Sequence, residues 1–245
     1  MGLSNRQQEK WGYSMGRAFC VAVIATLFLG QAWAQDKEED RLKQCGEVIK
    51  EILNVPDDIP QDLLDKAECV VVFPAVKKFA FGFGGSYGRG AMTCRSGKDY
   101  SGPWGAPAMY AIEGGSFGLQ LGGQATDFVL LIMNPKGAKS VLGSKVKLGG
   151  DASVAGGPKG RTASAATDIV MKAEILSYSR NRGVFAGVSL EGSTLRSDGG
   201  GNKSLYGKEL SAAQIILEGA VKAPPAAREL LSILDKKSPK NKSEK

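Results

Sequence analysis

Phe79 to Gly90 read FAFGFGGSYGRG, and the reading of this stretch decides the fold. A dinucleotide-binding turn needs G-x-G-x-x-G between a strand and a helix. Here Gly82 and Gly84 are followed by Tyr87 where the third glycine belongs, and the next segment, Ala91–Arg95, again reads as a strand. A phosphate-binding G-x-x-x-x-G-K-[ST] is absent as well: Gly97-Lys98 and Gly207-Lys208 run on into Asp99 and Glu209. The period is two, and successive strand side chains point to opposite faces. Phe79, Phe81 and Phe83 are expected on one face, with Ala80, Gly82 and Gly84 on the other. A face without side chains lets a backbone, a helix or a ligand come close. Gly85, Gly88 and Gly90 are expected to serve tight turns and bulges.

The pattern returns at Phe117–Gly122 and in VFAGVSLEG, Val184–Gly192. Strands are read at Cys69–Phe73 (bounded by Pro74), Phe79–Tyr87, Ala91–Arg95, Ala108–Glu113, Ser116–Gly122, Asp127–Met133, Ala152–Ala155, Ala173–Ser179 and Val184–Glu191, separated by Gly- and Pro-rich turns. Helices flank them. Leu42, Cys45, Ile49, Ile52 and Leu53 recur at helical spacing within Asp36–Leu53 and are assigned to core packing, because Arg41, Lys43, Glu47, Lys50 and Glu51 mix signs on the polar side. Shorter helices are read at Pro60–Ala67, Lys136–Leu142, from Ser211 and from Pro224. The fold class is α+β: a strongly curved antiparallel sheet or barrel-like core of Gly-rich strands, packed by N- and C-terminal helices. The 33 glycines, about twice the usual share, concentrate in the strand region.

Before this domain, Arg6, Lys10 and Arg17 precede a 12-residue apolar run, Ala18–Leu29, and an A-x-A site at Ala32–Ala34. This is the pattern of a cleavable signal peptide over 1–34, cut before Gln35, which implies an exported, periplasmic or secreted protein. The run is short of the roughly 20 residues that span a bilayer. A single domain is expected over 35–235, and the tail 236–245, KKSPKNKSEK, is expected to be disordered. The chain carries a formal charge of +7 and no histidine. Ser-His-Asp and Cys-His nucleophiles, imidazole bases and histidine metal sites are thereby excluded. Beyond the leader stand Cys45, Cys69 and Cys94. Cys69 and Cys94 either pair across neighbouring strands in an oxidising compartment, or all three serve as small buried hydrophobes.

The blocks AECVVVFPAVKKFAFGFGGSYGRG, GGSFGLQLGGQATDFVLLIMN, LGGDASVAGGPKGR, KAEILSYSRNRGVFAGVSLEGS and LYGKEL resemble those of the SYLF domain, in the family's order, from about Asp57 to Leu234. That domain is shared by yeast cortical actin-patch proteins, an animal SH3-containing protein and plant FYVE-domain proteins. The chain looks like the stand-alone, exported bacterial form. The resemblance implies a non-enzymatic protein that binds lipid, here an anionic phospholipid or membrane surface, with an envelope protein as a further possible partner. Actin is not expected for an exported bacterial protein, and neither nucleic acid nor a cofactor is implied.

Candidate lipid-binding residues are the cations at expected turns: Lys77, Lys78, Arg89, Lys145, Lys147, Lys159, Arg161, Arg180 and Arg182, with Arg95 and Lys98 in a similar setting. Turns gathered at one end of the sheet would make a cationic rim, each Lys or Arg contributing about 1 kcal/mol at an anionic surface. GGPKGR presents Lys159 and Arg161 from a constrained turn and is the first choice. The rival site is a carboxylate pair drawn from Asp127, Asp151, Asp168, Glu174 and Glu191, which would support acid–base chemistry. Trp104 is read as either an interface anchor or a core residue.

Overall fold

The computed structural model describes residues 34–54, 59–81, 83–97, 99–116, 125–143, 145–158, 172–181, 184–188 and 190–243. The chain forms two compact units, Met1–Lys37 and Glu38–Lys245. Of the first, 34–37 are described, as the opening turn of a helix that continues to 52 (α1). The expected leader lies otherwise outside the described residues.

After α1 come α2 (Gln61–Lys66), β1 (Cys69–Phe81), β2 (Phe83–Cys94), β3 (Ala108–Ser116), β4 (Ala125–Ile132) and α3 (Pro135–Leu142). The chain continues through β5 (Lys145–Lys147), β6 (Val154–Gly156), β7 (Ile175–Asn181), β8 (Val184–Gly187) and β9 (Thr194–Ser197). It closes with α4 (Gly199–Tyr206), α5 (Ala212–Ile216), a 3-10 turn (Pro225–Ala227) and α6 (Arg228–Lys237). The nine strands of the described residues belong to one strongly curled half-barrel sheet of order β5-β9-β3-β2-β1-β4-β7-β6, with β8 also pairing β7. Among these strands every pairing is antiparallel except β6 with β7.

The strand alternation divides the core in two. Val70, Val72, Ala91, Val129, Leu131 and Leu176 face α1, α2 and α6 on one side. Val71, Phe73, Met92, Tyr110, Leu130 and Ile175 face α3 and α5 on the other. Along α1, Leu42, Cys45, Ile49 and Ile52 are fully buried, as their spacing requires.

Pro74 does not end β1. The chain passes through it as a β-bulge: the register with β2 shifts between Val72 and Lys77, and Ala75 takes φ 49°. Asp127 Oδ1 accepts the Ala75 N–H at 2.8 Å, which holds the bulge. A proline fits a central strand at such a point because the ladder is already broken there. Phe79–Tyr87 is accordingly two strands, not one. Phe81 and Phe83 are partners across the hairpin apex, and Gly85, Gly88 and Gly90 lie within β2 rather than at turns. Gly88 and Gly90 sit against the bulge: a Cβ at Gly88 would lie 2.5 Å from Val76 Cγ2, and one at Gly90 would overlap the Val72 carbonyl and approach Phe73 Cδ1 to 2.8 Å.

Cys69 and Cys94 are cross-strand partners and form a disulfide, while Cys45 is a buried free thiol. The tail is also unlike its composition. Ser238 is fully buried, and the hydrogen bonds of Asn241, Lys242 and Ser243 fix the chain to Glu68 and Asp65. Its composition, with Pro239 as the sole apolar side chain of 236–245, predicts disorder; polar side chains dock the segment instead.

Candidate cationic site on the sheet

The register sorts the candidate cations into two kinds. Arg89, half-buried on β2, faces the α1 side. Its Nε donates to Asp198 Oδ2 at 2.6 Å, and its Nη2 lies 3.1 Å from Glu38 Oε1 on α1. Burial opposes its charge, but the hydrogen bond and charge of Asp198 and the charge of Glu38 prevail and raise its pKa. Asp198 is also the N-cap of α4, accepting from the Gly201 N–H at 3.0 Å. Arg180 on β7 repeats the device near the other end of α1. It pairs with Glu51 of α1 and, through Nε at 3.1 Å, with Asp127 of β4. Arg89 and Arg180 therefore each tie α1 to the sheet.

Lys77, Lys145 and Lys147 are of the other kind. All three are exposed, and none makes an ion pair among the described residues. The expectation placed them at turns; the structure places them in strands. Successive pairings run Lys147↔Thr194, Thr194↔Glu113, Glu113↔Tyr87, Tyr87↔Lys77 and Lys77↔Ala125, a single row across six strands. Paired residues share a face, so this row lies beside the Arg89 and Arg180 pairs on the α1 side. Lys147 and Lys77 stand four strand spacings apart, roughly 19 Å. One row over, Lys145 pairs with Arg196, whose Nε donates to Glu113 Oε1 at 2.8 Å. Within the row Tyr87 is 42% exposed, one of two large hydrophobic side chains so exposed among the described residues. Beside it, Gly85 opens the surface: a Cβ there would meet just the Gly114 carbonyl, at 3.7 Å.

Lys78 lies on β1 opposite Ser86, and its side chain is outside the described residues. Lys159, Arg161, Arg182, Lys98 and Asp168 lie outside them altogether. Arg95 is fully buried rather than at an exposed turn, with its guanidinium 4.4 Å from the centroid of the Trp104 ring. Burial lowers its pKa against the charges of Asp65, Glu68 and Asp235. Trp104, 5% exposed, is a core residue.

Three carboxylates of the rival site, Asp127, Asp151 and Glu174, are held structurally. Asp127 serves the bulge and Arg180, and Asp151 accepts the Lys147 N–H at 2.8 Å. Glu174 accepts the Ser153 N–H at 3.1 Å and pairs with Lys136 at 2.5 Å. Among the described residues no group of three or more Cys, Asp or Glu could hold a metal ion, and no helix is long and apolar enough to cross a membrane. The row of lysines around Tyr87 offers dispersed positive charge beside an aromatic face, an arrangement suited to holding anions.

The family model described as "Las17-binding protein actin regulator", Ysc84, matches residues 113–237. Protein YSC84 of Saccharomyces cerevisiae is 36% identical over 183 residues, 74% of this chain and 38% of that protein. LAS seventeen-binding protein 3 of the same yeast is 35% identical over 183 residues, 74% of this chain and 39% of its own length. SH3 domain-containing YSC84-like protein 1 of Xenopus laevis is 31% identical over 212 residues, 81% of this chain and 60% of that protein. The chain thus spans less than half the length of the yeast proteins and less than two-thirds of the frog protein.

Proposed function

The chain belongs to the Ysc84 (SYLF) family, and from that premise we propose that it is an exported, non-enzymatic protein that docks on an anionic phospholipid surface. The supporting observation is the row of exposed Lys77 and Lys147, without an ion pair among the described residues, flanking Tyr87, with Lys145 beside it. On the same face Arg89 and Arg180 are each paired with two carboxylates and Arg196 with Glu113, so the lysines supply the charge that remains for a partner. An aromatic ring among lysines suits the boundary between headgroups and water. Export rests on the leader pattern of residues 1–34; N-terminal sequencing of protein from its own cell is expected to begin at Gln35.

Flotation with vesicles containing phosphatidylglycerol tests the lipid reading. At about 1 kcal/mol per lysine, replacing Lys77, Lys145 and Lys147 together by Ala lowers partitioning by about two orders of magnitude. Raised salt is expected to do the same. Folded wild-type protein that fails to float at low salt would refute it. The relatives' names point to a protein partner instead, Las17 in one case. Capture of a defined envelope protein by lipid-indifferent chain would favour that second reading.

A further inference from the structure

The strongest cluster of polar contacts lies at the opposite end of β1 and β2 from the lysine row. There the C-terminal segment lies in a groove formed by α2, the β1 and β2 ends next to the disulfide, and the loop carrying Trp104. Arg95 Nη2 donates to Ser238 Oγ at 2.6 Å, and Trp104 Nε1 donates to the Ser238 carbonyl at 3.2 Å. Ser238 Oγ donates in turn to the Leu64 carbonyl at 3.2 Å. Asn241 Nδ2 donates to Glu68 Oε2 at 2.6 Å, and Ser243 Oγ to Glu68 Oε1 at 3.0 Å. Lys242 engages Asp65 twice, Nζ to Oδ2 and N–H to the carbonyl, each at 2.8 Å.

Three features mark this segment as a bound peptide rather than an extension of the core. First, the apolar anchors stop at Leu234 on α6, and 238–243 contains no apolar side chain apart from Pro239. Second, recognition is by side chain: apart from the helix-ending Ser238 N–H, Lys242 makes the sole backbone–backbone hydrogen bond of 238–243 among the described residues. Third, the fit is incomplete. Arg95 Nη1 is buried with no hydrogen-bond partner among the described residues, a cost that permanent interiors seldom carry. Charge is complementary: Asp65, Glu68 and Asp235 surround Arg95, and the segment brings Lys240 and Lys242.

We propose that the groove of Asp65, Glu68, Arg95 and Trp104 is a docking site for a short basic peptide bearing hydroxyl and amide side chains, and that residues 238–243 occupy it in cis as a releasable latch. Release uncovers Trp104 and leaves a net acidic groove, which selects a cationic segment and rejects an acidic one. This site is separate from the lysine row and does not depend on the lipid reading.

The test uses the full chain with Trp11→Phe and Trp33→Phe, so that Trp104 is the sole tryptophan. An open form carries Ser238→Ala and Lys242→Glu; a second ends at Lys237. The probe is a fluorescein-labelled peptide with the sequence of residues 238–245. The closed chain is expected to ignore the peptide. The open chain shows red-shifted Trp104 emission and tryptic cleavage after Lys240 faster by about tenfold or more, the loss of a charged hydrogen bond. It binds the peptide with reversal of the shift, and Asp65→Asn weakens that binding at least several-fold. Should the shortened chain fail to fold, the full-length open form alone decides. An open chain with a native circular dichroism spectrum that ignores the peptide overturns the proposal, as does equal binding by closed and open chains. A wild-type dimer that the open mutations dissociate assigns the segment to a second copy and overturns the cis latch.

Discussion

Gly90→Ala is the sharpest probe of the bulge that shapes the sheet. The added Cβ would overlap the Val72 carbonyl and stand 2.8 Å from Phe73 Cδ1. Neither neighbour can yield cheaply. Val72 lies on β1, the strand flanked by β2 and β4 at the middle of the sheet, and Phe73 is fully buried. Overpacking a well-filled site costs about 1–3 kcal/mol, and a pinned backbone puts Gly90→Ala at the upper end, about 3 kcal/mol. Gly85→Ala is the matched control on the same strand, since its Cβ would meet a carbonyl at 3.7 Å. There the lost flexibility of glycine in the unfolded chain gives a gain of about 0.5 kcal/mol. Urea unfolding followed by circular dichroism is expected to separate the two variants by about 3.5 kcal/mol with m unchanged, and Tm by roughly 7–14 °C. If the two lie within about 0.5 kcal/mol of each other, the close approach of β1 to β2 at the bulge is wrong.

Replacing Cys69 and Cys94 by Ala removes a cross-link that closes a 25-residue separation; chain entropy puts the loss at about 3.5 kcal/mol, read as a fall in urea midpoint. Burial pushes the Cys45 thiol up to about 12 against a weaker opposing hydrogen bond, so at pH 8 iodoacetamide is expected to label it in urea and leave the native protein unmodified. Burial would raise the pKa of Asp65, but hydrogen bonds from Lys242 and Gln61 and the charge of Lys242 outweigh it and hold the carboxyl below its ordinary value. A depressed folded pKa means stability that is present above the unfolded value of about 3.9 and lost as pH falls through the folded one. Tm of the wild type is thus expected to fall more steeply below pH 4 than that of Asp65→Asn; parallel curves would refute the role given to Asp65.

What was legible from the chain and what was not divide along local and non-local lines. Period two and helical spacing are local, so the α+β class, α1 and the strand region could be read directly. Pro74 misleads because its local meaning is a break; its place in a bulge depends on Asp127, more than 50 positions away. The helix α4 begins with Gly199-Gly200-Gly201, and glycine is the poorest helix former after proline. It forms because Asp198 caps it, Leu205 packs into the core, and the Asn202 side chain accepts the Met109 N–H at 2.6 Å. β5 and β9 are three and four residues long, too short for periodicity to register. The tail escaped for the same reason: its partners Asp65, Glu68 and Arg95 lie some 140 positions upstream or more.

The candidate site shows how a uniform sequence signal separates once register is known. Arg89, Arg180, Lys77 and Lys147 are all read from the sequence as cations at expected turns. In the structure each arginine bridges two carboxylates from different elements, one of them on α1. A guanidinium presents several donors in a rigid fork and suits that task; an ammonium on a flexible stem does not. The lysines, by contrast, make no ion pair among the described residues, and Glu113, the carboxylate within their row, is engaged by Arg196 at 2.8 Å. Exchange therefore discriminates the two groups. Arg89→Lys is expected to lower stability while leaving vesicle flotation of the folded protein unchanged. Lys77→Arg is expected to preserve both. Flotation lost in folded Arg89→Lys would show that the paired arginines, and not the open lysines, meet the anionic surface.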